Sequence, residues 1–135
     1  MSVDQVLLLL VLLFFKHYVF DFTRLQCPYM YLNKGTYGHP GGIFHTGLHV
    51  AASFVVLTAF LWWTQLALPL WAFLVIYMGE ALIHYHMDFY KMSKNAREGW
   101  LCNKHPQFWD LTGKDQLVHS LTYLGMAWVA EKSIS

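Results

Sequence analysis

Four stretches of this chain are each long and apolar enough to cross a lipid bilayer as a helix, and that pattern leaves few folds open. A crossing needs about 20 residues at 1.5 Å rise per residue. The first stretch runs from about Asp4 to Arg24, the second from about Gly42 to Trp63, the third from about Leu68 to Met92, and the fourth from about Thr112 to Ala130. Pro69 suits the first turn of the third helix. The fourth stretch is the shortest and least apolar. With 135 residues the chain predicts one all-α domain, an integral membrane four-helix bundle.

Composition fits. Apolar residues make up 56% and charged residues 13%, against about 25% charged in ordinary soluble domains. So small a soluble domain has too much surface to cover with so few charges. A net charge of +1 without a basic run argues against nucleic acid as a partner. The first stretch carries Asp4 and no positive leader, and it runs into Lys16 and His17 without a small-residue cleavage site, so it reads as a retained helix.

The connections set topology and orientation. Thr64–Ala67 is so short that the second and third helices form an antiparallel hairpin, whereas Cys27–Gly41 and Ser93–Leu111 read as long loops on the opposite side. Trp62, Trp63 and Trp71 flank the short turn and Trp100 and Trp109 the last long loop, where interfacial aromatic belts fall. Arg24, Lys34, Lys91, Lys94, Arg97, Lys104 and Lys114, seven of nine basic residues, lie on the long-loop side. That asymmetry predicts cytoplasmic long loops and termini outside, in a bacterial inner membrane. Cys27 and Cys102 then share a reducing side, and they are too few for a cysteine metal site. The small interior leaves a homo-oligomer open, with no signature for it.

Each helix carries two metal-ligand residues four apart: His17 and Asp21, His45 and His49, His84 and Asp88, Asp115 and His119. Residues at i and i+4 share one helix face, and helical metal sites are built by such inward projection. Because alternate helices run in opposite directions, all four pairs fall on one side of the membrane, from the interface to roughly 10 Å deep. Any single pair could be an interhelical hydrogen-bonding residue set. Asp115 alone could be a charge at a helix N-terminus, and His49 a packed core histidine. Three aspartates at one level would repel without a cation, although Lys16 and Lys114 could offset part of that charge. The eight residues together predict one or two divalent ions, zinc first, with iron or manganese as alternatives. Glu80, one turn deeper than His84, is the candidate general base or proton relay, or a buried protonated acid. His86 points about 200° away from His84. His39 and His105 sit beside prolines as surface histidines.

These residues carry a family resemblance. The chain resembles DUF3307, a family of bacterial and phage membrane proteins of unknown function. Its pattern matches His17…Asp21-Phe22 with Gln26, Asn33-Lys34, His45…His49, His84…Asp88 with Lys91, and Asp115-Gln116…His119. Gln26 lies five residues after Asp21, where the family has four. The resemblance spans the chain and implies a four-helix membrane fold with a shared site, but no reaction. A looser likeness to membrane-bound metal-dependent hydrolases is an analogy only.

Three function classes follow. The first is a metal-dependent hydrolase acting on a lipid or amphiphile at the cytoplasmic interface, the eight residues holding the metal and Glu80 or an uncoordinated aspartate moving the proton. There Lys16 or Lys114 would bind an anionic group. The second is a histidine-rich di-iron oxygenase or desaturase, against which the lack of adjacent histidine pairs counts. The third is a non-enzymatic metal carrier or structural membrane subunit; a carrier would place ligands at several depths, and here only Glu80 lies beyond the main layer.

Overall fold

A computed structural model describes residues 1–134, and within them the chain is all-α. The helices are α1 (Val3–Phe22), α2 (Pro28–Asn33), α3 (Pro40–Thr64), α4 (Leu70–Glu98) and α5 (Pro106–Ser133). Ser2 opens α1 with a capping box, its hydroxyl accepting from the Gln5 amide while Gln5 Oε1 accepts from the Ser2 amide. Proline occupies the first position of α2, α3 and α5, where its missing N–H has no helical partner to lose. Gly99 ends α4 in the left-handed conformation.

Several boundaries differ from the sequence reading. The Cys27–Gly41 segment contains the short helix α2 rather than being loop throughout. The Ser93–Leu111 segment is mostly helical, because α4 continues to Glu98 and α5 starts at Pro106, leaving Gly99–His105 as the connection. Hydropathy falls after Met92, but no glycine or proline interrupts the chain before Gly99, so the helix continues with polar residues. The fourth long helix is therefore 28 residues, longer than α1 and α3, not the shortest.

The expectation of four crossing segments is met for two helices. α1 and α3 are long and apolar enough to cross a membrane; α4 and α5 carry their ligand residues inside the span, which lowers their mean hydropathy. Facing explains the difference. Leu70, Leu74, Met78 and Leu82 on α4, and Leu117, Leu121, Leu124 and Trp128 on α5, recur at helical spacing and are exposed, while Glu80, His84 and Asp88 on α4 and Asp115 and His119 on α5 turn inward.

α1 packs on α3 and α5, and α4 packs on the same two, so the four long helices form a ring; α2 lies against α3. The interior has two halves. Toward the chain termini it is apolar, built from Leu9, Leu13, Leu57, Phe60, Ile76, Met126 and Ala130. Toward the long connections it is polar, with Lys16, His45, His49, Glu80, His84, Asp88, Asp115 and His119 all buried.

Candidate metal centre

The antiparallel ring brings the four sequence pairs to one level. His84 is central: its ring lies 4.0 Å from that of His49 and 4.2 Å from that of His119, centroid to centroid. Two groups of donor atoms result. Asp21, His45, His49 and His84 each offer one atom, all within 4.8 Å of one another, and His84, Asp88 and His119 form a second group by the same measure. Either group can hold a metal ion.

The distances fit hydrogen bonds and are also those of ligand atoms sharing one ion. His45 Nε2 lies 3.1 Å from His84 Nε2 and 3.0 Å from Asp21 Oδ1, and His49 Nε2 is 3.4 Å from Asp21 Oδ1. Two nitrogens on one tetrahedral zinc at about 2.05 Å stand about 3.3 Å apart. Several of these atoms lack a hydrogen-bond partner although buried: His49 Nε2, His119 Nε2, Asp21 Oδ2, and both carboxyl oxygens of Asp88. Buried polar atoms without partners are rare. Here they fall in the two donor groups, where a bound cation would satisfy the atoms of its group.

Charge in the cluster is partly balanced by lysines. Lys34 Nζ is 2.9 Å from Asp88 and 3.3 Å from Asp21; Lys91 Nζ is 2.6 Å from Asp115 and 3.4 Å from Asp88. Three aspartates thus face two lysines. The fourth acid, Glu80, is paired with Lys16 at 2.6 Å, which contributes nothing net whichever of the two holds the proton. With every histidine neutral one negative charge is left over, and either a bound cation or a proton on His119, 3.3 Å from Asp115 Oδ1, balances it. The sequence reading offered Lys16 and Lys114 as the compensating pair. Lys16 serves Glu80 instead, and Lys114 is exposed.

Lys34 reaches the site by a local device. α2 and the Lys34 backbone lie directly on the start of α3, where Gly41 and Gly42 have no side chain to hold them off. A Cβ at Gly41 would sit 2.6 Å from the Tyr29 carbonyl oxygen, and one at Gly42 would lie 3.5 Å from Lys34 Cα. Gly38, at φ +74°, turns the chain into α3 and donates its amide to Tyr85 Oη on α4.

His17 and Asp115 fall outside both donor groups. His17 Nε2 donates to Gln116 Oε1 at 3.0 Å and His17 Nδ1 accepts from Tyr123 at 3.1 Å, so both ring nitrogens are taken. Gln116 in turn donates to Asp115. Lys16 donates to Tyr123 Oη and to Glu80, and Ser53 donates to the same Glu80 oxygen. A continuous chain therefore runs from Asp115 through Gln116, His17, Tyr123 and Lys16 to Glu80. Glu80 lies outside the donor groups, held by Lys16 and Ser53.

Sequence reasoning gave no role to Ser53, Tyr123 or Asn95. A signal for the first two was present: Ser53 follows His49 and Tyr123 follows His119 by four residues, extending each stripe one turn deeper. His86 is exposed and bonds Tyr37; His39 caps α3; His105 accepts from the Leu101 amide. Cys27 and Cys102 are both free. Comparison with protein-family models, curated proteins and solved structures gives no match, so the resemblance to DUF3307 rests on the motif residues alone.

Proposed function

We propose that the protein is embedded in a membrane, binds one or two divalent ions in its histidine–aspartate cluster, zinc first, and hydrolyses a bond in a lipid or other amphiphile at the cytoplasmic interface. The observation that carries the reading is the convergence of Asp21, His45, His49 and His84 donor atoms within 4.8 Å. Membership in DUF3307 is part of the proposal.

Embedding is supported by an inverted surface. Val11 is 61%, Trp62 76% and Trp128 63% exposed, while four acids and three lysines sit inside. Soluble monomers rarely expose contiguous apolar faces on this scale; a bilayer covers them, and intramembrane ionisable residues mark functional sites. Basic residues cluster at the end nearer the site, which supports a cytoplasmic placement.

A bound divalent ion supplies Lewis acidity and lowers the pKa of bound water. The chain does the rest. Asp21, His45, His49, His84, Asp88 and His119 provide ligands, and His17 and Asp115 support them. Asp115 and Glu80 each keep one oxygen without a hydrogen bond, and Asp115, whose free Oδ1 lies 3.3 Å from the donor-group residue His119, is the acid in contact with a ligand and so the proton acceptor in this reading.

Elemental analysis of detergent-purified protein, prepared without chelators, tests the centre, and metal-dependent release of product from an amphiphile panel tests the reaction. His84→Ala, at the junction of both groups, should lower metal content most. Near-stoichiometric iron would replace the zinc version; absence of any metal would end the reading.

A further inference from the structure

Beside the cluster, between α1, α2, α4 and α5, lies a cavity of about 240 Å³ whose polar lining includes Asp21, Gln26, Lys34, Lys91, Asn95 and Gln116. We propose that this cavity is an anion subsite that takes a phosphoryl group, presented on a lipid, next to the metal ion. The inference rests on the metal reading above and adds the chemistry of the ligand.

Asn95 points to it first. Its side chain is 6% exposed, and neither amide atom has a hydrogen-bond partner, which is uncommon enough to require a reason. It lies on one face of α4 with Asp88 and Lys91, seven and four residues before it, so the stripe that supplies a metal ligand continues outward into the cavity. Nothing in the packing of α4 needs an amide at this position.

The other donors agree. Gln26 uses one amide proton on Asp21, and Gln116 uses one on Asp115, which leaves each with a second. Lys34 and Lys91 now spend their charge on the three aspartates. When a divalent ion takes Asp21 and Asp88, Lys34 loses both of its counter-charges and Lys91 the farther of its two, and the cluster, with neutral histidines, passes from one net negative charge to one positive charge with one ion or three with two. An anion bound between Lys34, Lys91 and Asn95 restores the balance. Tetrahedral phosphoryl oxygens, several acceptors on one centre, match ammonium and amide donors arriving from three sides.

The rim identifies the source. Phe22, Tyr31 and Trp109 also line the cavity and are exposed. They form an apolar lip at the end of α1 and α5 along which an acyl chain can lie. The volume is smaller than the roughly 300–1,000 Å³ of drug-sized pockets, enough for a head group with its tail outside.

The test uses the full chain in detergent, zinc-loaded or stripped with chelator. The probes are dihexanoyl phosphatidic acid and inorganic phosphate, followed by ³¹P NMR and equilibrium dialysis, with zinc content measured in parallel. The short-chain lipid should bind the loaded protein at least about tenfold more tightly than the stripped protein, a difference of about 1.4 kcal/mol. Inorganic phosphate should bind more weakly; equal binding would keep the phosphoryl subsite and assign it to free phosphate, overturning the lipid source. Asn95→Ala should weaken the lipid with zinc content unchanged, and Asn95→Asp should abolish its binding by placing a carboxylate in the subsite. Affinity indifferent to zinc or to both Asn95 variants overturns the proposal. Zinc uptake without phosphoryl binding sinks this inference alone, whereas failure to take up any metal sinks the metal reading beneath it.

Discussion

Replacing Lys34 with methionine separates a metal centre from an ion-pair network, because the two readings predict opposite responses to zinc. Lys34 is 3% exposed and stands 2.9 Å from Asp88 and 3.3 Å from Asp21. In stripped protein its loss leaves two buried carboxylates without their ammonium and should cost about 3–5 kcal/mol. The same carboxylates are zinc ligands, so an ion there sits about 5 Å from the position of Nζ. A divalent ion and an ammonium at about 5 Å repel by about 7 kcal/mol at an effective dielectric constant of about 20. Outward movement of the flexible lysine in the loaded wild type relieves most of this. A remainder of about 1.4 kcal/mol makes zinc affinity about tenfold higher in Lys34→Met. At equal, saturating free zinc the variant therefore gains about 1.4 kcal/mol more from the metal than the wild type does. Competition against a chromophoric chelator gives the affinity, and thermal unfolding in micelles with and without zinc gives the rescue. Unchanged or weaker zinc binding by Lys34→Met would refute the reasoning, since it would mean that lysine and cation do not share the carboxylates.

Lys16→Met and Glu80→Leu should each cost about 3–5 kcal/mol, and the double variant should recover most of the loss; additive losses in an unfolding titration would show that the 2.6 Å pair is not coupled. Tyr123→Phe leaves His17 Nδ1 without its donor and should cost about 1–3 kcal/mol, with zinc stoichiometry unchanged because neither residue is in a donor group. Gly41→Ala must push the Tyr29 carbonyl, and α2 with it, off α3, and should destabilise by about 1–3 kcal/mol and shift Lys34. Gly47→Ala is the control: nothing lies within 4 Å of its Cβ, so helix propensity should stabilise it by about 1 kcal/mol.

How much of this was legible in the sequence follows from which physical signals are local. The i, i+4 pairs are local, and antiparallel connectivity converts them into one level, so His45, His49, His84 and Asp88 could be placed together before any coordinates. The start of α4 was legible because Pro69 marks it, but its end at Gly99 was not, because hydropathy alone was followed and falls after Met92. That error had a consequence for Asp115. With α5 starting at Pro106 it lies nine residues into the helix, about 14 Å from the first turn, so it is an interior carboxylate and not a charge on the helix dipole. The lysine pairings were not legible. Lys34 comes from a connection, and its arrival at Asp21 and Asp88 depends on a backbone approach permitted by two glycines, which no periodicity reports. The low mean hydropathy of α4 and α5 hid the same facing that makes the site: an average over a window cannot distinguish a weakly apolar helix from one whose polar residues all point one way.

The extensions of α4 and α5 decide how a substrate reaches the centre. α1 ends at Phe22, one residue beyond Asp21, while α4 runs ten residues beyond Asp88, about 15 Å further. The cluster is therefore not at the open end of the four-helix ring. It lies beneath a second tier formed by the α4–α5 projection and by α2, which packs on α3. The cavity that carries Lys34, Lys91 and Asn95 is lined by the end of α1, by α2 and by the two projecting helices, with no residue of α3, which puts it at the side of this tier. A water-soluble substrate would be served by an axial opening into the aqueous phase. A side opening with an aromatic lip, on a molecule whose flanks are apolar, suits a ligand that approaches from within the membrane with its polar group leading. In the proposed centre this sets an order of binding: an ion on Asp21 and Asp88 first frees Lys34, which pairs with both, to meet the anion.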